Sequence, residues 1–383
     1  MKKKTAPIIL LLISLTFLSC SALPEKYTSG VSKGQCLPAF PDKDGWYGGD
    51  GAYSIKLDDQ RTLWLFGDTF VSCEGFRKDR TNMDVILGTT MGISSCSKNN
   101  EFKIQYYLSH RKGKFVSSFG EDEWLWPQDP FIIQGVLYIP LISIAPGDRE
   151  DELFNFEVAG HKFARVKDFS AVDPRDWSYD YIDLTPAIPR EIAAFAATSV
   201  VYRDYVYFYP FFVYSKDNIN TFGNILARIH VGRIDQPVGA VEYLNRDGTW
   251  RDHLEPRTVK IVLDAFASEL SVRYHPDDNK WVAVYLSINN KGDQLFYQTA
   301  DRLEGPWSAP RPLGSNIPEV DFQSPLYDKG NFCYAGKEHI EFSRGKNLVV
   351  TYVCNSSEDM QSQTSFLRRN MFLYRPVVRE TGY

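Results

Sequence analysis

The sequence predicts an all-β fold, a five-bladed β-propeller, and three observations carry that prediction. A short apolar β-run recurs at residues 63–66, 137–140, 206–209, 281–284 and 348–351, in steps of 74, 69, 75 and 67. A second strand-like segment and a polar turn precede each run: 53–57, 131–133, 199–202, 270–274 and 340–342, each followed by turn residues. Helical periodicity is scarce, and aromatic residues reach 14%, a composition that favours strands. A repeat of about 70 residues carrying four strands is a propeller blade, and five of them fill about 350 residues. Two stacked β-sandwiches would also space their turns regularly, but nothing in a sandwich pair requires a five-fold repeat.

The N-terminus reads as an export signal. Lys2, Lys3 and Lys4 precede an apolar stretch over residues 8–18 that is too short to span a bilayer. Phe17-Leu18-Ser19-Cys20 resembles a bacterial lipobox, which implies lipidation of Cys20 and a membrane-anchored place in the bacterial cell envelope. The chain divides into a signal peptide (1–19), a tether (20–44) and one propeller domain (45–383). Losing the three lysines takes the net charge from −5 to about −8, so there is no basic field for nucleic acid. Five cysteines follow Cys20, and an odd count leaves one unpaired. Cys73 with Cys96 and Cys333 with Cys354 are the pairs closest in sequence. No C-x-x-C or H-x-x-x-H spacing points to zinc.

The residue just before each inner strand would face the channel mouth. These are Asp50, Asp129, Thr198, Glu269 and Glu338, in steps of 79, 69, 71 and 69. Four of the five are carboxylates, and carboxylates sharing one cavity split their pKa values, as acid/base chemistry requires. The first unit is the richest. Trp46-Tyr47-Gly48-Gly49-Asp50-Gly51-Ala52-Tyr53-Ser54 leads to Leu63-Trp64-Leu65-Phe66-Gly67-Asp68-Thr69-Phe70. Folding this hairpin at the Asp58-Asp59-Gln60 turn brings Asp50 and Asp68 level, at one end of the two strands. A one-residue slip would instead put them on opposite faces of the sheet.

This W-x-G-G-D-G-x-Y-S … L-W-x-F-G-D-T-F signature resembles that of bacterial five-bladed propellers that include endo-D-arabinanases, within the wider group of furanosidase propellers. The resemblance implies a glycoside hydrolase that cleaves furanose-containing, arabinan-like polysaccharide, with Asp50 and Asp68 as its catalytic pair. By analogy with that wider group, Asp129, Glu269 and Glu338 are further substrate-site candidates. His339 would orient a carboxylate or hold a sugar hydroxyl, and Trp46 and Trp126 would stack on sugar faces. Trp124 and Tyr47 flank the same mouth and would stack in the same way, and Arg80 and Asn82, in the loop after Asp68, would reach a substrate. No G-x-S-x-G elbow, P-loop or dinucleotide fingerprint occurs. The expectation is a monomer with no cofactor beyond a structural calcium, a glycan as partner, and contact with a membrane only through its lipid. The alternative is a non-catalytic carbohydrate-binding lipoprotein.

Overall fold

The computed structural model describes residues 36–75, 77–148, 155–216, 219–287, 291–358 and 362–383. The signal sequence and Cys20 lie outside the described residues. Nearly all regular structure there is β, and its single α-helix is the short Phe366–Arg369. No described helix is long and apolar enough to cross a membrane.

Five antiparallel sheets each carry one of the expected apolar runs, and in four of them the strands follow one another in simple meander order. The first runs through Tyr53–Lys56, Thr62–Phe66, Thr90–Cys96 and Phe102–Tyr107. The second contains Phe131–Ile133, Val136–Pro146, Phe156–Val166 and Tyr179–Asp183, with Trp124–Pro127 added beside Val136–Pro146. The third starts at Ser199–Tyr202 and Tyr205–Phe208, and the fourth at Leu270–His275 and Lys280–Leu286. The fifth is Asn331–Glu338, Asn347–Ser356 and Val377–Gly382. Every apolar run singled out from the sequence lies in, or within one residue of, the second strand of its sheet. Those strands are buried almost throughout because both of their faces meet neighbouring sheets.

Packing between the sheets is cyclic. Leu63 and Leu65 meet Leu137 and Ile139, and Phe131 and Tyr138 meet Val206 and Phe208. Tyr207 and Val200 meet Leu270 and Val272, and Val282 and Val284 meet Leu348 and Val350. Trp64 and Phe66 then meet Phe342 and Val349, so the fifth sheet packs on the first. Burying rings such as Trp64 and Phe208 contributes about 2–3 kcal/mol each.

Three expectations need correction. Residues 340–342 are turn rather than strand, because Asn331–Glu338 pairs with Asn347–Ser356 in their place. That pairing is bulged. Tyr334 faces Val353 while Lys337 faces Thr351, which leaves an extra residue at Ala335-Gly336, with Ala335 at φ +58°. A Cβ at Gly336 would lie 2.5 Å from Leu286 Cβ, so only glycine fits there. Cys96 pairs with Cys36 and not Cys73, which is free and exposed; Cys333–Cys354 forms as expected. The Cys36 bridge and the buried Phe40 ring, edge-on to Trp64 at 4.9 Å, fix residues 36–44 to the first sheet. That part of the expected tether is packed structure.

Candidate active site

The first hairpin holds its expected register, with Tyr53 opposite Leu65 and Ser54 opposite Trp64. Beyond the paired strands, the Asp50 N–H donates to the Asp68 carbonyl at 3.0 Å and the Gly67 N–H to the Asp50 carbonyl at 2.7 Å. Asp50 and Asp68 therefore sit level at one end of the hairpin. Gly48 permits the approach to that end. At φ +130° it lies under Arg80 and Tyr374, and a Cβ would come within 2.6 Å of both Arg80 Nη2 and the Tyr374 carbonyl.

The two carboxyls have different surroundings. Asp68 Oδ1 accepts three N–H bonds, from Gly88 at 2.7 Å and from the Trp124 and Trp126 indoles at 2.9 Å each. These bonds favour the ionised form, but burial outweighs them and raises the group to about 6. Asp50 has no comparable set of donors, and its Oδ1 is buried without a hydrogen-bond partner. Burial, then the nearby Glu269 charge, push it up to about 7, against the pull of the Tyr334 hydroxyl and Lys337; the Asp68 charge adds to the rise. Both carboxyls are thus held above the ordinary carboxylate range, Asp50 by burial and a neighbouring like charge, Asp68 by burial against three N–H donors.

Glu269 is the third member of the cluster. Its Oε1 accepts from Lys337 Nζ at 2.8 Å and would lie 3.0 Å from a Cβ at Gly51. Lys337 is almost fully buried, with its ammonium 4.1 Å from the centroid of the Tyr53 ring. Glu269 keeps about a fifth of its side chain exposed. The bulge at Ala335-Gly336 sets the register that aims Lys337 at this group. Counting strands in the sequence missed Lys337 for that reason: placing the fifth inner strand at 340–342 promoted its neighbour Glu338 instead.

Other candidates occupy different positions. Asp129 is buried in an ion pair with Arg273. Arg273 Nη2 lies 2.8 Å from its Oδ1, and its Oδ2 accepts from Thr198 Oγ1 and the Ser199 N–H. Glu338 is buried against His275, at 3.1 Å from Nε2, and its N–H donates to Ser271 Oγ. His339 is enclosed, with Nδ1 2.7 Å from Ser54 Oγ and Nε2 2.7 Å from Thr351 Oγ1; burial, then Lys337 and Arg273, hold it neutral. These three tie neighbouring sheets together. Trp46 is fully buried and stacks on Tyr106 at 4.5 Å, because its strand Trp46–Gly49 pairs with Thr69–Val71 in a separate small sheet. Trp126 is at the site, but it acts on Asp68 through its indole N–H. With Trp124 and Phe156 it forms a half-exposed aromatic corner, the Trp126 and Phe156 rings 4.7 Å apart. Arg80 is wholly buried and Asn82 is an exposed residue at φ +61°, away from any role here.

Among the described residues, one group of three potential metal-ligand atoms occurs, from Glu319, Cys333 and Cys354. Its two sulfurs are joined in a disulfide, so they are not available as thiolates. The mouth brings together two carboxyls raised by burial, Asp50 and Asp68, and a third, Glu269, paired with Lys337. A protein from Bacteroides ovatus ATCC 8483, provisionally described as a hydrolase, shares this fold at TM-score 0.65 and 15% identity, over 88% of this chain and 86% of its own. Weaker likenesses are a family 43 (GH43_1) enzyme from Xanthomonas citri and a family 117 glycoside hydrolase from the marine bacterium Zobellia galactanivorans. The first has TM-score 0.44 and 10% identity over 91% and 90% of the two chains; the second has 0.42 and 11% over 78% and 82%. Among curated proteins no sequence matches. The sequence profile of one family, described as a domain of unknown function, matches residues 39–380.

Proposed function

The chain belongs to that family, DUF5005, and we propose from its own residues that it is a glycoside hydrolase acting on furanose-containing, arabinan-like polysaccharide. The observation that carries this reading is the contrast between two level carboxyls, Asp50 near neutrality and Asp68 tied by three N–H donors. Glycosidic bond cleavage needs that contrast. Asp50 donates its proton to the leaving oxygen. Asp68 stays ionised and either takes a proton from the attacking water or attacks the sugar carbon directly. Glu269 keeps Asp50 protonated through its charge, and Lys337 moderates that charge. We read the five cyclically packed sheets as the five blades of a propeller. The signal sequence and Cys20 support export and lipid anchoring in the bacterial cell envelope.

The experiment is product release by the chain starting after Cys20 on D-arabinan, L-arabinan, galactan and pyranose glycans. Cleavage of an arabinan supports the reading in full. Cleavage confined to another glycan keeps the hydrolase and overturns the substrate, and binding without cleavage favours the carbohydrate-binding alternative. The rate should follow a bell with limbs near pH 6, where Asp68 protonates, and near pH 7, where Asp50 loses its proton. Glu269→Gln removes the charge that raises Asp50, so the alkaline limb should move to lower pH. An alkaline limb that stays in place would remove Glu269 from the account.

A further inference from the structure

We propose that Phe222 and Phe266 form a stacking subsite that holds the glycan chain beyond the bond being cleaved, a proposal that rests on the hydrolase reading above. Phe266 lies on the loop between the strands Ile261–Leu263 and Leu270–His275, three residues before Glu269. Its backbone sits at φ +48°, a region that bulky side chains rarely occupy. The loop is pinned in that shape. Ala265 and Ala267 on either side are buried, and Asn224, itself wholly buried, donates through Nδ2 to the Ala267 carbonyl at 3.0 Å and the Tyr209 carbonyl at 3.3 Å. Asn224 Oδ1 is buried without a partner.

Phe266 is less buried than the alanines on either side of it. Phe266 is only partly covered, and its ring lies 6.4 Å from that of Phe222 at 31°, with Phe222 38% exposed on the strand Ile219–Ile225. Packing alone gives no reason to hold a phenylalanine at positive φ when glycine would relieve the backbone, whereas strain of this kind gathers at ligand clamps. A half-exposed aromatic pair offers flat apolar faces to the C–H face of a sugar ring, and the exposed Ser268 stands beside it with a hydroxyl. Three residues of chain reach at most about 11 Å, so the pair lies within a few sugar units of Glu269. The ligand is a neutral glycan long enough to pass both the acids and this ledge, which makes the enzyme prefer polymer over short oligosaccharides.

The test compares wild type, Phe266→Gly, Phe222→Ala and Phe266→Tyr on the polymer and on the shortest oligosaccharide cleaved, with thermal melting alongside. Glycine accepts positive φ, so Phe266→Gly should melt no lower than wild type. Its KM for the polymer should rise about fivefold to tenfold more than its KM for the short substrate. Phe222→Ala should follow in the same direction, and Phe266→Tyr should stay close to wild type. Equal KM changes on both substrates, or an unchanged polymer KM, would overturn the subsite. If wild type cleaves nothing, the hydrolase reading fails, and affinity electrophoresis on the same glycans then decides the subsite by itself. Retardation lost in Phe266→Gly keeps the subsite. Retardation unaltered by the substitution, or absent in wild type, overturns it.

Discussion

Asp50→Asn is expected to lower the turnover of the cleaved glycan by about 10²–10⁴-fold while making the protein more stable at neutral pH. Both effects come from one burial. Folding encloses the carboxyl beside Glu269 and raises it from 3.8 to about 7, so the folded state holds a proton that the unfolded state has already lost. Stability that the wild type has below pH 4 therefore drains away as pH rises to 7, and above that the whole penalty is in place. Asparagine cannot ionise and escapes the penalty, which is at most about 4 kcal/mol because Asp50 keeps some exposure and is coupled to Glu269. Denaturant melts of the two proteins at pH 4, 6 and 8 should show a gap near zero at pH 4 that opens in favour of the variant. A gap that is constant with pH would mean that Asp50 titrates normally.

Arg80→Met should destabilise the fold by about 4 kcal/mol. All five N–H donors of this guanidinium are used on backbone carbonyls: Tyr47 at 2.7 Å, Leu367 at 3.4 Å, Asn370 and Met371 at 3.2 Å, and Leu373 at 2.8 Å. Burial, then repulsion from Arg375, depress the group to about 9. It remains charged at pH 7 all the same, its charge set against carbonyl dipoles and the Phe70 ring. The bonds are returned by Arg368, which donates to the carbonyls of Arg80 and Met83. Methionine fills the volume but leaves the carbonyls dry. The segment 365–374 should then loosen, seen as faster amide exchange there. Tyr374, whose phenol feels both Asp50 and Asp68, belongs to that segment, so activity should fall with stability. An unchanged denaturation midpoint would show that the carbonyls find other donors.

The legible parts of this protein were those written locally. The apolar runs identified a central strand in each of the five cyclically packed sheets, because a strand covered on both faces is apolar along its length. Asp50 and Asp68 were legible as a pair because a short hairpin with a polar turn admits few registers. The first strand of the fifth sheet was misplaced because residues 340–342 belong to the long turn between Asn331–Glu338 and Asn347–Ser356. The same slip hid Lys337. Asp129, Glu338 and His339 were picked by type and position, but nothing local reveals that Arg273, His275 and Ser54 reach them from other sheets. Trp46 misled for a similar reason: its neighbour Gly48 turns the chain, and its partner Tyr106 is sixty residues away. The Cys36–Cys96 bridge likewise joins segments far apart in sequence, where the shortest separation favoured Cys73.

The proposed chemistry needs Asp50 to hold its proton close to neutrality beside Asp68. Carbon-13 NMR of aspartate-labelled protein reads that proton, with the Asp50 carboxyl assigned by its loss in Asp50→Asn and followed from pH 3 to 9. A titration near pH 7 that moves downward in Glu269→Gln is expected. A midpoint near 4, unmoved by that substitution, would contradict it.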